Sequence, residues 1–149
     1  MNHFSFLKKS LNYDCDCHFF ESIESTNLYL SDAPYSNLPQ LCVTREQTKG
    51  KGQYGREWIA QKDSSIIFSI RKSFTEDTNI SGLSLVVGLA IIKALEAECR
   101  LFGFKIKWPN DIYFGDKKLV GILMENSFYE NKQYILIGVG LNFKLMDKV

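Results

Sequence analysis

The stretch TREQTKGKGQYGREW, residues 44–58, gathers four basic residues, three glycines and a tryptophan between two apolar runs. Glycines allow the backbone to approach a ligand closely and to turn N–H groups toward an anion. Lys51 and Arg56 can neutralise a phosphate or a carboxylate, and Trp58 offers a flat face to a purine. These residue types predict an anion-binding loop. The alternative is a solvated loop whose charges bind nothing.

The glycines of this loop match a dinucleotide-binding pattern only in part. Residues 50–55 read G-x-G-x-x-G, but that fingerprint also needs a helix opening from the loop and an acidic residue about twenty positions on. Residues 56–65 show no apolar periodicity, and Glu76 lies in a polar stretch. The chain also has neither Gly-Lys-Ser/Thr nor His-Arg-Asp. The sequence therefore disfavours a Rossmann site, a Walker A loop and a protein-kinase loop.

Three short polar residues, Ser25, Thr26 and Asn27, lie where a predicted strand turns into a predicted helix. Ser25 is a good N-cap, and capping alone explains its presence. Polar groups at a helix N-terminus can also face a polar ligand. Both interpretations stay open from the residues alone.

The segment Lys107-Trp108-Pro109-Asn110-Asp111 interrupts two predicted strands. Proline keeps Trp108 extended and breaks the strand ladder, so Asn110 and Asp111 can leave the sheet. Asp111 offers oxygen ligands of the kind that Mg²⁺ prefers. An ordinary turn role for Asn110 and Asp111 is the alternative.

Lys118 precedes an apolar strand that contains Gly121, and Gly138 and Gly140 repeat this pattern on the last strand. A glycine inside a strand often marks the close approach of a ligand or of another part of the chain. We therefore expect this part of the sheet to lie under a bound group. A solvated strand end is the alternative role for Lys118.

The apolar pattern predicts the elements that must position these residues. A long helix is expected over residues 82–102, capped by Ser81, stopped by Gly103 and buried against a sheet in its first half. A short helix is expected over residues 26–31. Strands are expected over residues 17–22, 41–45, 64–72, 105–108, 111–114, 119–126 and 133–139, the last ones as antiparallel hairpins. Many successive strands and few helices predict an α+β fold.

Composition indicates one ordinary globular domain over residues 1–149, with 45% hydrophobic and 23% charged residues. The net charge of +1 gives no global basic field of the kind that marks nucleic-acid binders. No secretory signal is visible, and the longest uncharged stretch is shorter than the roughly 18 residues that a membrane span needs. A cytoplasmic location is the resulting expectation.

The four cysteines do not predict a metal site. Cys15, Cys17 and His18 lie together, but no second ligand pair follows them. Cys42 and Cys99 lie in apolar runs and are predicted to be small buried hydrophobic residues.

Six segments together resemble the biotin protein ligases, also called biotin–[acetyl-CoA-carboxylase] ligases. In chain order they are ESTN, GKGQYGREW, GLSLVVGLAIIKAL, KWPND, KKLVGILMEN and GVGLN. Their order and spacing are similar to those of the family, and they cover about residues 18–143. KWPND between the glycine loop and KLVGIL is the most specific part of the resemblance.

The resemblance implies a fold and a reaction. The fold is a mixed, largely antiparallel sheet with helices on one face, similar to class II aminoacyl-tRNA synthetases. The reaction joins biotin to ATP with Mg²⁺, giving biotinyl-5′-AMP, and passes the biotinyl group to a lysine of a biotin carboxyl carrier domain. A cationic loop that closes over the adenylate would protect this water-sensitive intermediate.

The resemblance also implies roles for individual residues. Lys118 is the implied catalytic lysine, with Lys51 and Lys107 assisting, and Asp111 is the implied Mg²⁺ ligand. The residues implied for biotin are Ser25, Thr26, Asn27, Gln47, Gly50, Lys51, Gly52, Gln53, Lys118, Gly121, Leu123, Gly138 and Val139. Those implied for ATP are Arg56, Trp58, Lys107, Asn110 and Asn142. Two positions depart from the family, because Lys51 and Gln53 replace arginines that many members have.

The chain is shorter than the family pattern at both ends. We expect no winged-helix DNA-binding domain, hence no binding to DNA, and a catalytic domain that is either truncated at its C-terminus or a minimal member of the family. Two alternatives to an active ligase follow: a remnant that binds biotin but transfers it poorly, and a lipoate or octanoate ligase-type relative. A homodimer through an exposed sheet edge is compatible with the sequence, which does not decide it.

Overall fold

The computed structural model describes residues 5, 9–60 and 62–144. A seven-stranded sheet dominates this part of the chain. In chain order the elements are β1 (Asp16–Phe20), α1 (Thr26–Asp32), β2 (Gln40–Thr44), a 3₁₀ turn (Gln53–Gly55), β3 (Ile66–Thr75), α2 (Leu83–Cys99), β4 (Phe104–Lys107), β5 (Asp111–Phe114), β6 (Lys117–Tyr129) and β7 (Lys132–Leu141).

The strands lie in the order β1-β2-β3-β7-β6-β5-β4, and β1–β2 is the parallel pair in an otherwise antiparallel sheet. Glu130 and Asn131 join β6 to β7 with φ values of 47° and 60°. Two consecutive positive φ values are the mark of the tight turn whose twist matches a hairpin. The predicted α+β class and the mixed, largely antiparallel sheet are confirmed.

The alternation of side chains along the strands places α1 and α2 on opposite faces of the sheet. Gly138 lies beneath α1, since a Cβ there would be 2.9 Å from Asn27 Cγ. Gly88 of α2 packs toward Ile122, whose Cδ1 would be 3.9 Å from a Cβ at Gly88. Ile122 pairs with Val139, the neighbour of Gly138, and therefore points to the other face. The sequence had implied helices on one face only. We call the face that carries α1 the site face.

The short helix α1 is held at both ends, which fixes the polar residues at its start. Ser25 is its N-cap and accepts a hydrogen bond from the N–H of Leu28 at 3.2 Å, as the sequence predicted. At the other end, buried Arg71 donates to the carbonyl oxygens of Ala33 and Pro34 at 2.9 and 2.7 Å. Burial lowers the pKa of the Arg71 guanidinium from its ordinary value.

The long helix α2 differs from its prediction at both ends. Its N-cap is Gly82, not Ser81, because the carbonyl of Gly82 accepts the first helical hydrogen bonds, from the N–H groups of Leu85 and Val86. It ends at Cys99, and its C-cap is Arg100 with a φ of 51°; Gly103, the predicted stop, also has a positive φ but lies three residues further on. Cys99 is exposed, so its predicted burial is wrong; it lies on the outer side of the last turn.

The main core lies between α2 and the sheet. Only one stripe of α2 contacts the sheet, so Val86 and Leu89 remain 60% and 52% exposed despite the nearly continuous apolar sequence. A second cluster under α1 joins Leu30, Cys42 and Leu136, and the predicted burial of Cys42 is confirmed. The buried residues of the main core are Ile112, Leu119, Val120, Ile122, Val139 and Leu141.

Among the described residues, no helix combines the length and the apolar character needed to cross a membrane.

Candidate functional site

A cavity of about 150 Å³ lies on the site face, under the loop that follows β2 and beside the N-terminus of α1. It brings together most of the residues that the sequence singled out. Those lining it are Ser25, Thr26, Asn27, Gln47, Lys51, Gly52, Gln53, Arg56, Trp58, Asn110, Asp111, Lys118, Gly121, Leu123, Gly138 and Val139. The lining that sequence reasoning missed consists of Glu57, Ile67 and Ile122, whereas Gly140 was noted as a strand glycine without an assigned ligand.

Polar groups form one end of the cavity, at the N-terminus of α1. Gln47 Oε1 accepts from the backbone N–H of Thr26 at 2.8 Å and from Thr26 Oγ1 at 3.0 Å. Thr26 and Asn27 are almost completely buried. These groups are therefore held in fixed positions and face the cavity, and capping by Ser25 is compatible with a ligand role for its neighbours.

Two residues behind this polar end were not anticipated. Ser69 of β3 is fully buried, lies 2.6 Å from Thr26 Oγ1 and donates to Asn27 Oδ1 at 2.5 Å. Glu125 of β6 accepts from Asn27 Nδ2 at 3.1 Å. The signal for Ser69 was the one hydroxyl within the apolar run IIFSI, and Glu125 gave none.

Glycines form the floor of the cavity because side chains press directly on the sheet there. A Cβ at Gly121 would lie 2.7 Å from Trp58 Cζ3, and one at Gly140 would lie 2.5 Å from Trp58 Cε2. Gly138 stands in the same relation to Asn27. The prediction of a close approach at these strand glycines is therefore confirmed, and in this structure the approaching groups belong to the chain itself.

Trp58 forms the wall of the cavity above this floor. Its indole spans Gly121 and Gly140, which pair directly in the sheet. Its Nε1 is buried and has no hydrogen-bond partner in the described part of the chain. A flat apolar face with one unused donor thus borders the cavity.

Lys118 reaches the site face through an irregularity in the sheet. Three positions separate Lys118 from Gly121, so simple alternation would turn the two to opposite faces. In the pairing of β5 with β6, however, Ile112 pairs with Val120 and Tyr113 with Lys118, which leaves Leu119 unpaired. Such a bulge re-aims the side chain beside it.

The ammonium of Lys118 is positioned by an acidic partner. Its Nζ lies 2.8 Å from Asp111 Oδ1 and 5.6 Å from the centre of the Trp58 ring. Asn110 fixes Asp111, because its Nδ2 donates to the carbonyl of Ile122 at 2.7 Å and its own carbonyl accepts from the N–H of Ile122 at 3.0 Å. The side chains of Lys118 and Asp111 are 40% and 20% exposed, so the pair is accessible to a ligand.

Two of the four basic residues in the glycine loop are free to meet a ligand. Arg45 pairs with Glu21 and Asp63, and Lys49 pairs with Glu24. Lys51 and Arg56 line the cavity and have no acidic partner within the described residues. The anion-binding capacity of the loop therefore rests on those two side chains.

The loop itself is a small hairpin. The N–H of Trp58 donates to the carbonyl of Gly50 at 2.8 Å, and that of Gly52 to the carbonyl of Arg56 at 2.6 Å. Tyr54 at its tip has a φ of 56° and is 91% exposed. The hairpin stands out from the sheet and carries Lys51 beside the cavity.

Three predicted site residues lie outside the cavity lining. Gly50 supports the loop instead, since a Cβ there would be 2.5 Å from the carbonyl oxygen of Trp58. Lys107 is exposed on the edge strand β4, with its Nζ 5.6 Å from the centre of the Tyr113 ring. Asn142 accepts a hydrogen bond from Ser65 Oγ at 2.6 Å. Neither Lys107 nor Asn142 lines the cavity, so the roles that the sequence implied for them stay predictions.

Comparisons with known proteins identify the family of this chain. Residues 19–142 match the sequence model of the biotin/lipoate A/B protein ligase family. The bifunctional ligase/repressor BirA of Escherichia coli is 33% identical over 129 residues, covering 83% of this chain and 39% of that protein. The biotin–[acetyl-CoA-carboxylase] ligase of Paracoccus denitrificans is 32% identical over 122 residues, covering 80% of this chain and 51% of that protein.

Among solved structures, the biotin protein ligase of Aquifex aeolicus in complex with biotin and ATP has a TM-score of 0.69 and 33% sequence identity. The match covers 85% of this chain and 51% of that one. The chain therefore spans about two-fifths to half the length of these relatives. With a family match over residues 19–142 and relatives above 30% identity, the chain belongs to the biotin/lipoate A/B protein ligase family.

Proposed function

We propose that this chain catalyses the ATP-dependent activation of biotin to biotinyl-5′-AMP and the transfer of the biotinyl group to a lysine of a carrier domain. The observation that carries the proposal is the order of chemical environments along β6 and β7. Asn27 lies over Gly138, Trp58 lies over Gly121 and Gly140, and Lys118 follows. The cavity thus changes from polar to apolar to cationic along its length.

This order matches the three parts of biotin. The ureido ring both donates and accepts hydrogen bonds, and the fixed polar groups of Thr26, Asn27 and Gln47 suit it. The alkyl chain suits the apolar indole of Trp58 that lies over the strand glycines, and the carboxylate suits the ammonium of Lys118. Two residues advance a strand by about 6.6 Å, so the three environments follow one another on the scale of a small molecule.

The first chemical step would join two anions. The biotin carboxylate is ionised at neutral pH, so its attack on the α-phosphate needs no general base. Repulsion between the two groups, and the charge gathered in the transition state, must instead be offset by cations. Lys118 is placed at the carboxylate end, and Lys51 and Arg56 can close over the phosphate. Lys107, which lies outside the cavity, has no part in this assignment.

ATP would lie between the glycine loop and the Lys118 end of the cavity. The free Nε1 and the flat face of Trp58 suit an adenine, as the sequence predicted. Mg²⁺ would be held jointly by nucleotide phosphates and Asp111, because the Asp111 carboxylate lines the cavity and offers the oxygen ligands that this ion prefers. Bound there, the ion would neutralise phosphate charge.

The second step would be the attack of a carrier lysine on the mixed anhydride. We assign a carrier domain of a biotin-dependent carboxylase as the partner, in a cytoplasmic setting, because a relative is named biotin–[acetyl-CoA-carboxylase] ligase. The expectation that the protein does not bind DNA stays a prediction, and so does a homodimer. One solved structure with a similar fold, a bi-partite lipoate protein ligase, shares 12% sequence identity with this chain. The dithiolane ring of lipoate, however, would leave the polar end of the cavity without a hydrogen-bonding partner.

A labelled-nucleotide assay tests the activity. Purified protein is incubated with biotin, Mg²⁺ and ATP labelled in the α-phosphate, and the products are separated by thin-layer chromatography. We expect labelled adenylate that depends on biotin and is not formed with lipoate or octanoate. Adenylate with lipoate alone would establish the lipoate ligase, and biotin binding without adenylate would establish a binding remnant.

A further inference from the structure

Four oxygen atoms form a continuous chain beneath the N-terminus of α1, which we call the oxygen chain. Gln47 Oε1 lies 3.0 Å from Thr26 Oγ1. Thr26 Oγ1 lies 2.6 Å from Ser69 Oγ, which lies 2.5 Å from Asn27 Oδ1. Each of the three contacts is at hydrogen-bond distance and needs one hydrogen between its two oxygens.

Both ends of the oxygen chain are amide oxygens, and a separate hydrogen bond fixes the orientation of each amide. The backbone N–H of Thr26 donates to Gln47 Oε1, so turning that amide would set two donors against each other. Asn27 Nδ2 donates to Glu125 Oε2 at 3.1 Å. Turning the Asn27 amide would place its oxygen against the carboxylate, and two acceptors would face each other.

The hydrogens available do not suffice for the contacts. Amide oxygens only accept, so the hydroxyls of Thr26 and Ser69 must supply every hydrogen, and each has one. Two hydrogens serve three contacts, so in every arrangement one pair of neighbouring oxygens meets with no hydrogen between them, and a donor from outside the chain to either oxygen of that pair offsets their repulsion. Ser69 is fully buried, so that donor must reach Thr26, Asn27 or Gln47, which line the cavity.

We propose that Glu125 is a positioning residue that determines ligand specificity: by holding the Asn27 amide in one orientation, it keeps an acceptor open for an N–H group of the ligand. The inference rests on the proposed function and deepens it. A cyclic urea carries two N–H groups and satisfies this need, whereas a dithiolane ring carries none. Without the Glu125 acceptor, the Asn27 amide can turn so that its Nδ2 donates to Ser69 Oγ. All three contacts then contain a hydrogen, and the site no longer needs a donor from the ligand.

Glu125→Lys tests this inference directly. A lysine places a donor where the acceptor stood and turns the Asn27 amide, so we expect the dissociation constant for biotin to rise about tenfold or more. The added positive charge would by itself strengthen binding of the biotin carboxylate. A rise in the dissociation constant therefore cannot come from the change in net charge. Glu125→Gln can accept from Asn27 through its own amide oxygen, and we expect it to stay within about threefold of the wild type.

The matched control is Glu98→Lys, the same charge change at an exposed position on α2, which lies on the other face of the sheet. Biotin affinity is measured by calorimetry and stability by thermal unfolding for all four proteins. We expect Glu125→Lys to weaken binding without lowering the melting temperature, since its oxygen chain becomes fully hydrogen-bonded.

Three results are decisive. Unchanged biotin affinity in Glu125→Lys would overturn the inference, and so would weakened binding with a parallel loss of stability, which marks a merely structural role. A folded wild-type protein that does not bind biotin would instead overturn the proposed function itself.

Discussion

Gly140→Ala tests the packing that shapes the candidate site. The new Cβ would lie 2.5 Å from Cε2 and 2.6 Å from Cζ2 of Trp58. Ordinary carbon contacts are about 3.5–4.0 Å, so the indole must withdraw by about 1 Å. Overpacking of this kind costs about 1–3 kcal/mol of the free energy of unfolding. Because Trp58 is also the proposed wall of the biotin site, Gly140→Ala should lower biotin affinity as well as stability.

A double-mutant cycle isolates the contact. In the Trp58→Ala background the space above Gly140 is open, so the added methyl group should cost less than about 0.5 kcal/mol there. Free energies of unfolding are measured by urea denaturation for the wild type, both single variants and the double variant. An equal cost of Gly140→Ala in both backgrounds would refute the contact.

Gly88→Ala serves as the matched control on the other face of the sheet. A Cβ at Gly88 would lie 3.4 Å from Ile106 Cδ1, close to ordinary contact, and glycine in a helix interior is less stable than alanine by about 0.5–1 kcal/mol. We expect Gly88→Ala to leave stability equal or slightly raised and biotin affinity unchanged.

Three further predictions concern other parts of the structure. Lys118→Gln should slow adenylate formation at least about 100-fold, because one lost donor to developing charge is worth about 2.7–4 kcal/mol; urea denaturation should show little loss of stability, since its ion pair is partly exposed. Arg71→Met should lower the free energy of unfolding by about 2–4 kcal/mol, because Gln40 and two carbonyl groups lose a buried donor; a loss below about 1 kcal/mol would contradict this account. Cys99, which is exposed, should react with iodoacetamide at pH 8, whereas Cys42, whose thiol pKa burial raises to about 12, should react only after unfolding. Peptide mass spectrometry distinguishes the two, and alkylation of Cys42 in the folded protein would contradict its burial.

The buried Cys42 thiol also has a consequence for stability at high pH. Its pKa is raised from 9.0 to about 12 by burial, so the unfolded chain releases this proton at lower pH than the folded protein does. The contribution of this group to stability is therefore complete below about pH 9 and is lost as the pH rises toward 12.

Local chemistry explains why much of the fold was predictable from sequence. Ser25 carries its capping signal in its own side chain, and the turn at Glu130 and Asn131 lies between two strongly apolar strands. The ends of α2 were not predictable in the same way. The first helical hydrogen bonds begin at the carbonyl of Gly82, one residue after the serine, and the apolar period does not fix a helix end to a single residue.

The candidate site shows the same division. Glycine spacing predicted a close approach at Gly121 and Gly138, because a missing side chain is visible in sequence. The bulge that turns Lys118 into the site is a property of strand pairing and leaves no residue pattern. Asn27 and Glu125 are 98 positions apart and meet only because β6 folds back beside α1.

Calorimetric titration of the purified protein with biotin, with and without Mg-ATP, tests the central claim most directly. The account predicts saturable binding of about one biotin per chain in both conditions, and adenylate in the samples that contain Mg-ATP. A protein shown by circular dichroism to be folded, yet without measurable biotin binding in either condition, would contradict the account.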